Sequence, residues 1–217
     1  MAEPVTGARK AAREAARAMV LDRFRWVDGH ADIWPVLGDA AALRAVVLAL
    51  AAPFRDSRVD VIAAIEARAF LLAGAVAIEL GTGVAAIRKD GSSLRGELVR
   101  ATAEPDYLGR THTLVAARES LPAGARVLLV DDWIELGAQA RAAGSIVEEC
   151  GAVLAGVSVI VDQSTPPTGL PPIESVVSGD ELERLPGGAL APSDQDPGAD
   201  AGQAGRHVKP RQRRRRY

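Results

Sequence analysis

Residues 127–140, VLLVDDWIELGAQA, restrict what this chain can fold into more than any other stretch. Val127-Leu128-Leu129-Val130 is an unbroken β-branched and leucine run, and a run without polar alternation reads as a parallel strand buried on both faces. Asp131 and Asp132 follow at once, then a short turn containing Gly137, then a helix whose body is Ala140 to Glu149. Open α/β sheets bind ligands outside the carboxyl ends of their strands, so both acids are expected at a site. Glu135 to Gln139 form a loop at the helix N-terminus, where free N–H groups and the positive end of the helix dipole face an anion. Acids for hydroxyls beside amides for phosphate suit a phosphorylated sugar. Acid pairs at strand ends also bind Mg2+ in phosphatases and receiver domains, and others merely cap the next helix; the spacing leaves these readings open.

The rest of the chain alternates in the same manner. Strands Val59–Ile65, Val84–Arg88, Arg126–Asp131 and Leu154–Val161, with helices Phe70–Leu80 and Ala138–Cys150, describe a parallel sheet with crossover helices. Gly81, Gly83 and Gly151 mark helix stops. A length of 217 residues holds one α/β domain with a sizeable core, whereas two would be cramped. Val5 to Val27 reads as an amphipathic helix with Ala11, Ala15, Met19 and Val20 on one face. Residues 186–217 are Pro-, Gly- and Asp-rich before a basic end and read as disordered. The expected organisation is a helical extension over 1–27, the main domain over 28–185, and a tail over 186–217.

No apolar run approaches the roughly 18–20 residues of a membrane helix; the longest candidate, Ala69–Leu80, carries Glu79. Arg9, Lys10, Arg13, Glu14 and Arg17 interrupt any signal-peptide pattern, so the expected compartment is the cytoplasm. The single cysteine, Cys150, rules out an internal disulfide and reads as a packed small residue. Seven Lys or Arg between Arg206 and Arg216 leave the remainder of a −2 chain near −9. An acidic body that takes a polyanion must concentrate its cations locally, which draws attention to Arg68, Arg88 and Lys89. The basic end is expected to make at most a weak polyanion contact, since only Tyr217 offers a ring for stacking.

The 127–140 segment resembles the ribose-phosphate signature of the type I phosphoribosyltransferases. Val59 to Leu72, VDVIAAIEARAFLL, and Gly83 to Lys89, GVAAIRK, resemble the pyrophosphate region of the adenine-using members. Asp32-Ile33-Trp34-Pro35 with the helical Ala40–Ala52 resembles their base-covering segment. The resemblance implies a single Rossmann-like domain with a central parallel sheet and a flexible hood, the polar stretch Asp90 to Thr113. It implies transfer of 5-phosphoribosyl from phosphoribosyl pyrophosphate to a purine-type base, adenine giving AMP and pyrophosphate in purine salvage, by a homodimer. Asp131 and Asp132 would accept the ribose hydroxyls, favour positive charge on the sugar and contact Mg2+, held chiefly by substrate oxygens. Arg68, Arg88 and Lys89 would meet pyrophosphate, with a cis peptide between Ala67 and Arg68. Glu135, Leu136, Gly137, Ala138, Gln139 and Ala140 would hold the 5-phosphate, and Glu104 would handle the purine proton.

Several positions depart from that pattern. Leu136 stands where a Thr is usual, Ala138 where a second Gly is, and Gln139 where a closing Thr is. Ala69 replaces the Gly after the arginine, Ala31 the Arg before the acid, and Trp34 adds an aromatic wall. An active purine-type transferase is the first reading. A catalytically weakened regulator that binds phosphoribosyl pyrophosphate or a nucleotide is the alternative, and an Mg2+-dependent phosphatase a distant third.

Overall fold

Apolar residues along the strands face two separate cores by turns. Ile62, Ala64, Leu128, Val130 and Ile160 point into one, and Ala63, Ile65, Val127, Leu129, Val157 and Val159 into the other. That is the period-2 consequence of a sheet covered on both faces. The computed structural model describes residues 3–89, 94–105, 111–166 and 168–189, with side chains from Gly7 onward. In chain order the elements are α1 (Glu3–Arg23), β1 (Arg25–Val27), β2 (His30–Asp32), α2 (Trp34–Gly38), α3 (Ala40–Ala51), β3 (Val61–Ile65), α4 (Ala69–Leu80), β4 (Gly83–Lys89) and β5 (Leu98–Thr102). Then come β6 (Thr113–Ala117), β7 (Arg126–Ile134), α5 (Ala138–Glu149), β8 (Val153–Asp162), β9 (Ile173–Ser178) and α6 (Gly179–Glu183).

The main sheet has the order β5-β6-β4-β3-β7-β8-β9, in which β4, β3, β7, β8 and β9 run parallel and β5–β6 is an antiparallel addition at the edge. Helices α1, α3 and α4 cover one face and α5 the other. The expected α/β class and parallel sheet are therefore present. Because β3 sends its crossover to β4 on one side while β7 sends its own to β8 on the other, the order reverses between β3 and β7. A crevice opens there at the strand carboxyl ends.

Local chemistry explains the element ends. Asp39 caps α3 by accepting the Ala42 N–H at 2.8 Å, and Arg23 reaches the same carboxylate at 3.0 Å, joining the end of α1 to the start of α3. Gly81, at φ +70°, closes α4 with a left-handed turn that non-glycine residues seldom adopt. A Cβ on Gly156 would lie 2.6 Å from the Phe54 ring, so any side chain there would have to push the ring aside. No helix among the described residues is long and apolar enough to cross a membrane.

Four expectations are corrected. Helix α1 stops at Arg23, because Asp28 and Gly29, both at positive φ, form the two-residue turn of a β1–β2 hairpin. Its buried residues are Ala16 and Val20, continued by Phe24 just past its end, while Ala11 and Ala15 are exposed. Strand β7 does not end at the acids but runs on to Ile134, since β8 continues the ladder with Trp133 opposite Val161. The stretch read as one polar loop over 90–113 contains β5 and the start of β6; its residues 90–93 and 106–110 lie outside the described residues, as does the tail from 190.

Candidate active site

Three groups of side chains meet along the carboxyl edge of the sheet. Counting on from Ile65 opposite Ile87 and Ala64 opposite Val130 puts Glu66, just past β3, at one level with Arg88 on β4 and Asp132 on β7. The connection from β3 to α4 is the turn Glu66-Ala67-Arg68, and its cis peptide is Glu66–Ala67, one bond earlier than the sequence suggested. This turn sends the Arg68 side chain across to Asp132, with Nε 2.7 Å from Oδ2.

Asp132 is buried, and its Oδ2 receives no hydrogen bond; the Arg68 contact is an ion pair without hydrogen-bond alignment. Buried oxygens are nearly always satisfied, so an unsatisfied one in a crevice awaits a donor or a cation. Asp131 accepts the Asp132 N–H at 2.8 Å. Burial pushes the Asp131 carboxyl well above the usual range, and the neighbouring Asp132 charge pushes it further, against the pull of Arg68.

Beside them Glu66 accepts Arg88 Nε at 2.9 Å and the Lys89 backbone N–H at 2.8 Å. Burial alone would raise the Glu66 carboxyl, but these two donors outweigh it and hold it below the ordinary range. Sequence reasoning missed Glu66. It fixes the end of β4, and with it Arg88 and Lys89, against the Arg68 turn.

The third group surrounds the start of α5. The loop is only Glu135 to Gly137; Ala138, Gln139 and Ala140, expected as loop or helix-body residues, form the first helical turn. Gly137 sits at the N-cap with φ +71° and no side chain caps the helix, which leaves the first-turn N–H groups to an outside acceptor. Leu136 is 56% exposed and brings no hydroxyl. Arg141, also unremarked in the sequence, donates from Nη1 to the carbonyls of Leu136 at 2.9 Å and Thr168 at 3.0 Å, and pairs through Nη2 with Glu104. Glu104 thus lies against the loop of α5. A cation in a helix's first turn opposes the dipole, and that anomaly was the available signal.

The phosphoribosyl transferase domain pattern matches residues 38–189. The chain belongs to the phosphoribosyltransferase family. The adenine phosphoribosyltransferase of Arthrobacter sp. (strain FB24) is 43% identical over 133 residues, 60% of this chain and 69% of that one. That of Rhodococcus jostii (strain RHA1) is 39% identical over 163 residues, 68% of this chain and 85% of its own. The crystal structure of adenine phosphoribosyltransferase from Rhodothermus marinus superposes with a TM-score of 0.67 at 26% identity, covering 76% of this chain and 99% of that one. This phosphoribosyltransferase therefore has its relatives among the adenine-named members, and its crevice between β3 and β7 lies within the matched region.

A metal fits this crevice only as a shared ligand. Among the described residues no cluster of three or more His, Cys, Asp or Glu could hold an ion alone. The unsatisfied Asp132 Oδ2 and the adjoining Asp131 fit a cation whose other ligands arrive with the substrate.

Proposed function

We propose that this chain transfers the 5-phosphoribosyl group of phosphoribosyl pyrophosphate to adenine, releasing pyrophosphate and AMP in purine salvage. The unsatisfied, buried Asp132 carboxylate facing Arg68 across the β3–β7 crevice carries the reading. Asp131 and Asp132 meet the two ribose hydroxyls, and the negative charge the pair carries favours the cationic sugar that forms as the C1–O bond breaks. Arg68 leaves Asp132 for the departing pyrophosphate, and Arg88 and Lys89 flank it from β4. The uncapped amides from Gly137 to Ala140, with Glu135, Leu136, Ala138 and Gln139 around them, seat the 5-phosphate. Glu104 takes the proton that the purine nitrogen loses on bonding to C1. Asp131 and Asp132 would help hold an Mg2+ ion brought by the substrate, which would further neutralise the leaving group. No covalent enzyme intermediate is needed; orientation and charge suffice.

A homodimer in the cytoplasm completes the proposal. Helix α4 leaves Leu71 and Ile78, 56% and 85% exposed, on one side, and a second copy would cover them; a monomer in sedimentation at micromolar concentration would remove this part. The cytoplasm is in keeping with one buried, unpaired cysteine.

The test is incubation with phosphoribosyl pyrophosphate, Mg2+ and a panel of bases, following pyrophosphate release. Adenine should support turnover, and the double variant Asp131→Asn with Asp132→Asn, folded by circular dichroism, should support none. Leu136, exposed where a hydroxyl is usual, favours the second reading. If no base supports turnover while calorimetry shows phosphoribosyl pyrophosphate bound, the chain is a sensor or regulator. Equal turnover in the folded double variant would remove the ribose assignment.

A further inference from the structure

We propose that Arg141 is the cation that serves the 5-phosphate in place of the missing loop hydroxyls, and that Glu104 holds it in reserve until phosphate arrives; this rests on the phosphoribosyltransferase reading above. Arg141 stands one helical turn after the N-cap, its N–H bonded to the Gly137 carbonyl at 2.9 Å. A Cβ built on Gly137 would lie 3.1 Å from Arg141 Nη1, so the guanidinium rests directly against the loop backbone. Nη1 is anchored twice, on the Leu136 and Thr168 carbonyls, so the head is fixed at the loop whatever happens to Nη2. Nη2 faces Glu104, whose side chain is 71% exposed.

An exposed ion pair is weak and readily exchanged. A phosphate dianion on the first-turn amides carries more charge than the Glu104 carboxylate, offers several acceptors and meets a planar fork already in place. It therefore displaces Glu104 from Nη2. Occupancy of the phosphate loop and freedom of Glu104 become linked, and the linkage is reciprocal: what removes the Glu104 charge strengthens phosphate binding. The released carboxylate is the same one assigned above to the purine proton. The 5-phosphate then acts on the base side of the reaction without touching the base.

Calorimetry of the full chain with ribose 5-phosphate alone, and separately with inorganic pyrophosphate, tests this. Arg141→Ala should weaken ribose 5-phosphate ten- to a hundredfold, the range for one or two charge-assisted hydrogen bonds, and Arg141→Lys less. Glu104→Gln should tighten it severalfold. Pyrophosphate affinity should not move in any of the three, which a general loosening of the fold would not spare. If Arg141→Ala fails to fold, Arg141→Lys and Glu104→Gln carry the test with opposite expected signs. Unchanged ribose 5-phosphate affinity in the arginine variants, or unchanged or weaker affinity in Glu104→Gln, overturns the inference while leaving the family's chemistry standing. Wild-type protein that binds no ribose 5-phosphate would sink the phosphate subsite itself and this inference with it.

Discussion

Two carboxylates side by side in a partly dry crevice cannot both be charged cheaply, and here the cost falls on Asp131. Its folded carboxyl is raised by burial and by Asp132, so its proton stays on above the ordinary carboxylate range. For a group raised in the folded state, the associated stability is full below the unfolded value and is lost as pH rises through the folded one. The urea midpoint should therefore fall as pH climbs from the ordinary carboxylate range through the raised value. Asp131→Asn should flatten that fall, because the amide keeps an oxygen for the Asp132 N–H but cannot ionise. Urea melts at a series of pH values check this, and an identical slope in the variant would show that another group is responsible. Single residues were unevenly legible in the sequence. Asp131, Asp132 and Arg68 sit in local motifs, whereas Glu66 meets Arg88 only across neighbouring strands, 22 residues away, where register decides the contact.

At the scale of elements, β7, its loop and α5 form one device. The strand carries on past the acids because β8 offers ladder partners as far as Asp162, and only three residues then remain before α5. A short loop with a left-handed glycine aims the first-turn amides outward, and little but side-chain chemistry distinguishes it from a loop with a hydroxyl at position 136. Leu136→Thr should therefore tighten ribose 5-phosphate by about tenfold, through one added hydrogen bond to a charged group. Titration calorimetry reports it. Equal or weaker binding would mean that the loop has been rebuilt around the leucine. The parallel strands and α4 were legible because their apolar runs are long and their glycine stops clear. The β5–β6 edge was not: Val99, Ala101 and Ala103 alternate into the core, but the alternation is too short to stand out within the polar, glycine-bearing stretch around it.

For the whole molecule, the two cores decide what the chemistry requires. Helix α1 gives Ala16 and Val20, and Phe24 just past its end, to the core that also holds α4, so this helix is part of the packing beneath the Arg68 turn. At the other end, Leu182 is buried, Leu185 packs on the same core, and the Ala189 N–H donates to Glu183. Residues 190–217 have seven Lys or Arg against three Asp, so a chain ending at Ala189 has a formal charge of −6 in place of −2. Truncation there should leave the melting temperature and the turnover near those of the full chain, because every group assigned to the crevice lies before residue 142. It should abolish any salt-sensitive binding to polyanions that Arg211 and Arg213 to Arg216 provide. Thermal melts, the pyrophosphate assay and a salt titration against a nucleic acid read the three effects separately. Turnover kept while nucleic-acid binding is lost would assign the basic end a second, regulatory role. A large fall in turnover would instead show that the acidic body cannot gather its anionic substrate without the tail, and the one-domain account of this enzyme would fall.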